Sequence, residues 1–272
     1  MVKRMGQSMN NFGVLAPKRD LRDYKVKSMA PIGVVEAQLE HLPKIKNQGS
    51  VNSCAAHAAS SILEWFNQKE TGEYRELSTD FIYGMQGVKL GRMDSGMYLR
   101  DVCKIVKDYG DCAANTIGTN TEMPECAKNL AKLLTDSVLK EGAICKVKSY
   151  AKCDTDNDIK YAILNYGGVL GSVKWYSNYD IKNGIINFDT TSQKGYHAVM
   201  VYGFNEDGWL CINSWGALWG KKGKFILPYS HGFREAWSFV DAENEDVYKP
   251  KRNKWWNVFY KIINFILNLW KR

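Results

Sequence analysis

The hydrophobic pattern of this chain changes its period after residue 166, and that change limits the folds it can adopt. Before residue 166, apolar side chains recur at helical spacing in several segments. These predict helices at 54–68, 77–86, 95–109, 125–140 and 156–166. After it, β-branched and aromatic runs bounded by Gly or Pro predict strands at 167–175, 196–204, 208–215 and 223–228. Helices followed by strands predict an α+β protein of two lobes, the second an antiparallel sheet, rather than alternating βαβ units.

The positive charge of the chain is concentrated at its C-terminal end. The 272 residues carry a formal net charge of +8, and residues 249–272 hold seven basic side chains and no acid. The rest is close to neutral, so the basic isoelectric point does not indicate a nucleic-acid-binding face. We expect no specific nucleic acid partner.

The cysteines indicate neither a metal site nor a disulfide framework. There are seven of them, and none forms a CxxC pair, so we expect no zinc site and no other cofactor. An odd number favours reduced thiols. The first 20 residues lack the continuous apolar region of a signal peptide, so we expect synthesis in the cytoplasm.

One cysteine, Cys54, lies at a position that favours a nucleophilic thiol. Cys54 opens the predicted helix 54–68, six residues after Gln48. A helix N-terminus carries partial positive charge and lowers the pKa of a thiol placed there, which favours the nucleophilic thiolate. The alternative is that Cys54 is one more small apolar residue at the start of a core helix.

Three polar residues elsewhere in the chain suit such a nucleophile. His197 begins the predicted strand 196–204, where a sheet would fix its ring as a base. Asn213 lies 16 residues further on, and the "NEDG" turn between the two strands would bring its amide back to that ring. Gln48 would donate to an oxyanion beside the Cys54 N–H. His57 shares a helix face with Cys54, but we expect it to be a packed residue.

The order and surroundings of these residues resemble the papain-like cysteine peptidases of the C1 type. "NQGSVNSCAAHAAS" is similar to the family's QGxCGSCWAFS segment, and "GYHAVMVYGF" to its histidine strand. "WLCINSWGALWGKKGKFIL" is similar to its WLIKNSWGxxWGxxGY run. The resemblance covers about residues 20–240. Val51 stands where the family usually has a disulfide cysteine, which favours a bacterial or viral member.

The resemblance implies a cleft between a helical lobe, residues 27–145, and a β-sheet lobe, residues 146–240. It also implies acyl transfer at a peptide carbonyl: the Cys54 thiolate attacks, His197 acts as acid and base, Asn213 orients it, and Gln48 stabilises the oxyanion. The leading interpretation is a cysteine-type endopeptidase that acts on polypeptides through an acyl-enzyme.

The same resemblance places substrate-binding residues. "MDSGM" keeps one glycine where the family has its substrate-binding glycines, which indicates Ser95 and Gly96. Trp215 and Trp219 follow Asn213; we expect Trp215 to shield the Asn213–His197 hydrogen bond, and either could line the cleft or belong to the sheet core.

Two other functions stay open. The chain could be a related amide hydrolase or transpeptidase that acts on peptidoglycan. It could also be a catalytically silent homologue that serves as a structural or membrane-associated assembly protein.

Both ends of the chain lie outside the resemblance. Residues 1–19 are predicted to be a flexible arm, too short for a long inhibitory prosegment, that could cover the cleft. Residues 241–248 are predicted to be an acidic linker, and 249–272 a basic amphipathic helix. That helix would bind a membrane surface, dock on a protein partner or another copy, or pack on its own domain. Membrane or virion association is therefore an expectation.

Overall fold

The computed structural model describes residues 13–15, 23–26, 34–90, 96–118, 129–192 and 194–240. The predicted linker 241–248 and C-terminal helix 249–272 lie outside these residues, as does most of the predicted arm. In the described part of the chain, no helix has the length and apolar character needed to cross a membrane.

Helices dominate the first half of the described chain. They are α1 (Cys54–Thr71), α2 (Thr79–Leu90), α3 (Leu99–Asp108), α4 (Ala114–Ile117) and α5 (Asp136–Gly142), with α6 (Asp156–Asn165) further on. Short 3-10 helices cover Leu130–Leu133 and Ala143–Cys145. The longest, α1, buries all of its first thirteen residues and is capped by Gly72, whose positive φ of 77° suits glycine.

The second half, joined by one short strand from the first, forms one mostly antiparallel sheet. Its strands are β1 (Ala37–Gln38), β2 (Ser149–Cys153), β3 (Val169–Tyr176), β4 (Tyr179–Lys182), β5 (Ile185–Phe188), β6 (Lys194–Phe204), β7 (Trp209–Ile212), β8 (Lys224–Leu227) and β9 (Glu235–Val240). Their order is β2-β9-β3-β6-β7-β8-β5-β4, with β1 against β6. The predicted α+β class is confirmed.

The two halves meet along α1 and one face of the sheet. One apolar cluster combines α1 side chains such as Ile62 with Ala198, Met200 and Ile212 of the sheet. A second cluster fills the opposite face, under α6. The start of α1 therefore lies against β6, at the junction between helices and sheet.

Several predicted elements differ from those in the structure. The helix predicted at 125–140 is replaced, from residue 129 onwards, by a 3-10 turn and the separate helix α5. Strands β2, β4, β5 and β9 had no sequence prediction. Strand β1 joins the sheet although its residues fall in the range predicted for the helical lobe.

Candidate active site

Cys54 is the first residue of α1 and lies against the middle strand of the sheet. The backbone N–H of Ala198, in β6, donates to Cys54 Sγ at 3.4 Å. The residue is fully buried. The structure therefore brings the predicted nucleophile next to the residue that follows His197.

His197 and Asn213 are joined by a hydrogen bond. Asn213 Oδ1 lies 2.7 Å from His197 Nε2 and also accepts the Ser214 backbone N–H at 2.8 Å. Because a backbone N–H can only donate, it fixes Oδ1 as the acceptor, and His197 must then carry its proton on Nε2. This tautomer leaves the lone pair of Nδ1 to accept a proton.

Gln48 is linked to the same strand end through Ser214. Gln48 Oε1 accepts the Ser214 hydroxyl at 2.6 Å, and the Gln48 backbone N–H donates to the Ser214 carbonyl at 2.8 Å. Gln48 Nε2 donates to the Val51 carbonyl at 2.8 Å. Ser214 thus holds the predicted oxyanion residue beside the predicted histidine–asparagine pair.

Tryptophans enclose the imidazole. The Trp215 ring lies 4.6 Å from the His197 ring, and Trp175 meets it edge-on at 5.1 Å. Trp219 packs against Trp215 at 5.3 Å, and its Nε1 donates to Tyr179 Oη at 3.0 Å. The position of Trp215 fits the predicted shielding, and Trp219 lies one layer further from the histidine.

A short N-terminal segment, Gly13–Leu15, crosses the cleft over the sulfur. Met97 holds it from the helical side, donating its N–H to the Gly13 carbonyl at 2.6 Å and accepting the Leu15 N–H at 3.0 Å. From the sheet side, the Tyr196 carbonyl accepts the Val14 N–H at 3.3 Å. We call Gly13–Leu15 the cleft segment.

Close approach of the cleft segment depends on glycines. A Cβ on Gly13 would lie 2.1 Å from the Asn52 carbonyl oxygen, and a Cβ on Gly96 would lie 2.5 Å from the Gly13 oxygen. Gly96 also has a φ of 74°, which favours glycine. Gly96 thus lies against the cleft segment, whereas Ser95 lies outside the described residues.

The cleft segment closes the site, and in this closed state burial sets the protonation of Cys54 and His197. Burial raises the pKa of Cys54 to about 11, although the backbone N–H groups of Ala198 and Gly13 oppose this rise. Burial also lowers the pKa of His197 to about 4, against the Asn213 hydrogen bond. The lower thiol pKa expected at a helix N-terminus is therefore absent here, because desolvation outweighs the helix field.

The thiol and the imidazole consequently do not form an ion pair in this state. His197 Nδ1 is buried without a hydrogen-bond partner among the described residues. Between pH 4 and pH 11 both groups are neutral. The thiolate and imidazolium need a cleft from which the segment has moved, so that water or substrate reaches them.

The remaining predictions for the first helix can also be placed. His57 is buried, and its Nδ1 lies 3.0 Å from the Ser53 carbonyl, which fits the expected packed role. The cysteines in the described ranges are all free thiols.

Sequence reasoning missed the support beneath the site. Lys46, two residues before Gln48, forms a fully buried ion pair of 2.5 Å with Glu64 in α1. The sequence offered two signals for this ion pair. Lys46 lies next to the loop that carries Gln48, and Glu64 lies on the apolar side of the helix. In the sequence, the only sign of a role for Ser214 at the site is that it directly follows Asn213.

A known protein family matches most of the chain. The family model described as "Papain family cysteine protease" matches residues 34–233. A peptidase C1-like protein of Acanthamoeba polyphaga mimivirus is 28% identical over 205 residues, which are 68% of this chain and 64% of the relative. Cathepsin B-like cysteine proteinase 3 of Caenorhabditis elegans is 28% identical over 208 residues, 67% of this chain and 56% of that protein.

Solved structures agree on the fold. Xylellain, a cysteine protease from Xylella fastidiosa, superposes with a TM-score of 0.73 at 19% identity, covering 89% of this chain and 100% of that one. The chain spans less than two thirds of the length of the curated relatives named above.

Proposed function

Because this chain belongs to the papain family of cysteine proteases, we propose that it is a cysteine endopeptidase, which hydrolyses internal bonds of polypeptides. The cleft segment is the observation that supports this proposal. Gly13 lies beside the sulfur of Cys54, and the chain continues in both directions from it. An internal residue of a polypeptide is therefore accommodated beside the nucleophile, which supports cleavage within a chain.

The cleft segment itself is held so that it resists attack by the Cys54 thiolate. The Gly13 carbonyl is turned to the Met97 N–H, and it is the N–H of Gly13 that faces the sulfur. A thiolate attacks a carbonyl carbon, whose oxygen must reach the oxyanion donors. A substrate would present its carbonyl carbon to Cys54 and its oxygen to Gln48.

The order of the reaction steps follows from the tautomer of His197, which has its proton on Nε2 and a lone pair on Nδ1. His197 Nδ1 takes the thiol proton as Cys54 Sγ attacks, and then gives it to the leaving amine, so that a thioester remains on Cys54. Asn213 Oδ1 accepts the Nε2–H throughout and keeps the ring in place. Water, deprotonated by the same Nδ1, then attacks the thioester carbonyl, and Cys54 Sγ leaves and regains its proton from Nδ1.

Blocked peptides test the proposal. An internally quenched peptide with an acetylated N-terminus and an amidated C-terminus should be cut, and mass spectrometry should locate the cut within the peptide. Cys54→Ala should abolish turnover, while the exposed Ser137→Ala should retain it. Cleavage of unblocked peptides alone would indicate an exopeptidase, and equal turnover by Cys54→Ala would remove the hydrolase assignment.

A further inference from the structure

A small cavity lies beside Asn213, between helix α1 and strands β6 and β7. About 10 Å³ of it is open to the centre of a water molecule, which is room for one molecule. Every residue that lines it is at most 6% exposed, so the cavity wall is shielded from bulk solvent. Its polar lining residues are Lys46, His57, Ser61, Asn213 and Ser214.

The side-chain amide of Asn213 is paired at its oxygen only. Oδ1 accepts from His197 Nε2 at 2.7 Å and from the Ser214 N–H at 2.8 Å. Nδ2 is buried and has no hydrogen-bond partner among the described residues. Since the oxygen and nitrogen of an amide point in different directions, Nδ2 is turned away from His197. A buried amide donor is rarely left unpaired in a native protein, so Nδ2 needs an acceptor.

The wall of the cavity suits a water molecule. Cavities that stay dry are lined by apolar groups, whereas a buried water typically makes about three hydrogen bonds to polar groups. Lys46 Nζ has three N–H donors, of which Glu64 Oε1 and the Leu77 carbonyl take two, at 2.5 and 3.3 Å. A hydroxyl both donates and accepts, and Ser61 and Ser214 each bring one to the wall. The wall therefore offers enough donors and acceptors for one water.

Ser61 lies on the same helix face as the nucleophile. It follows Cys54 by two helical turns in α1, and residues at that spacing share a face. This face packs against β6, where Ala198 both donates to Cys54 Sγ and lines the cavity. A bond from the cavity to Ser61 therefore connects the helix that carries Cys54 with the sheet lobe that carries Asn213.

We propose that Ser61 is a positioning residue of the active site, which acts through one water molecule bound in this cavity. The water accepts a hydrogen bond from Asn213 Nδ2 and donates one to the Ser61 hydroxyl. With Nδ2 held in this way, Asn213 keeps Oδ1 on the Nε2–H of His197, and α1 stays in register with the sheet. The effect on catalysis rests on the proposed function, whereas the water site does not.

A high-resolution crystal structure of the full chain with Cys54→Ala tests the water site without relying on turnover. One water should lie within about 3 Å of both Asn213 Nδ2 and Ser61 Oγ. Ala58→Val adds two methyl carbons to the cavity wall and should displace this water. A dry cavity, or a water that bonds His57 instead of Ser61, would overturn the proposal.

Steady-state kinetics on a fluorogenic peptide test the positioning role in the active protein. Ser61→Ala should lower kcat about fivefold with KM unchanged, which corresponds to the loss of one neutral hydrogen bond. Ala58→Val should give the same loss although the Ser61 hydroxyl is intact, and it carries the test if Ser61→Ala does not fold. The matched control is Ser60→Ala, because Ser60 is buried in the same helix but lies near Asp111 and outside the cavity wall.

The results separate this proposal from the proposed function. Ser60→Ala should keep the kcat of the wild type, whatever it does to the melting temperature. A wild-type kcat for Ser61→Ala, or an equal loss of kcat from Ser60→Ala, would show that Ser61 has no positioning role. A water found between Asn213 and Ser61 in a protein that cleaves no peptide would sustain the water site and reject the peptidase.

Discussion

At the scale of residues, one hydrogen-bonded chain joins the polar groups that the site needs. It runs from Gln48 through the Ser214 hydroxyl, and from the Ser214 N–H through Asn213 Oδ1 to His197. Every member is buried. Since buried hydrogen bonds hold side chains in one rotamer, a change in Ser214 should be felt at both ends of the chain.

Ser214→Ala should therefore lower kcat without loss of the fold. Losing the hydroxyl leaves Gln48 Oε1 without this donor, and one neutral hydrogen bond corresponds to about a fivefold effect. Steady-state kinetics on a fluorogenic peptide would measure it, with Ser137→Ala as the exposed control. Unchanged kcat and KM would show that Ser214 does not position Gln48 for the reaction.

The buried histidine should also make stability depend on pH. The pKa of His197 in the folded protein is about 4, below its value of 6.5 when exposed, so unfolding takes up a proton between these values. Stability is then full above pH 6.5 and declines as pH falls towards 4, by about 3 kcal/mol in all. Urea unfolding of wild type and His197→Ala at several pH values measures the difference, and equal slopes would contradict it.

At the residue scale, the sequence predicts the four catalytic positions because each lies in a motif of recognisable order, and the structure joins Gln48, Asn213 and His197 through hydrogen bonds. The juxtaposition of Glu235 in β9 and Ser172 in β3, two buried polar residues directly opposite each other in the sheet, could not be found in this way. They become neighbours only through the pairing of β3 with β9, and β9 itself had no sequence prediction. The effect of burial on the Cys54 thiol was likewise out of reach, since it depends on what covers the sulfur.

At the scale of elements, the loop that carries Gln48 is fastened to α1 by a buried ion pair. Lys46 Nζ bonds Glu64 Oε1 at 2.5 Å and the Leu77 carbonyl at 3.3 Å. Glu64 in turn accepts the Leu77 N–H and the Tyr74 hydroxyl. Three segments therefore depend on one pair of charges.

Lys46→Met should destabilise the protein by about 3 kcal/mol, because it leaves Glu64 charged and buried without its cation. The matched control is Lys44→Met, since Lys44 is exposed and lies 3.9 Å from Glu76. That change should alter the free energy of unfolding by less than about 0.5 kcal/mol. Equal effects of both substitutions in chemical denaturation would show that the buried pair contributes nothing.

Elements with a strong period were predicted from sequence, and those shaped by their neighbours were not. Helix α1 and strands β3 and β6 follow from apolar patterning and Gly boundaries. The break between Leu130–Leu133 and α5 has no such signal. Gly142 meets the Phe81 ring closely, with a Cβ there only 2.5 Å from Cζ, so that packing against α2 fixes this region.

At the scale of the whole molecule, the closed state results from two lobes and a third piece of chain between them. The cleft segment bonds Met97 on the helical side and Tyr196 on the sheet side. With the segment over the sulfur and the tryptophans around the imidazole, both Cys54 and His197 are fully buried, which accounts for their neutral forms. Activity should therefore depend on how readily the segment leaves.

Gly13→Val tests that dependence. A Cβ at this position would lie 2.1 Å from the Asn52 carbonyl oxygen, so the segment cannot keep its place. With the sulfur exposed, its pKa falls from about 11 towards that of an open thiol, and a larger thiolate fraction reacts at pH 7.5. We expect iodoacetamide to label Cys54 at least about tenfold faster, as one unit of pKa implies. Peptide mapping by mass spectrometry measures the labelling, and Ala143→Val adds the same branching at an exposed site as a control. If both variants label at the wild-type rate, the segment does not govern access to the nucleophile.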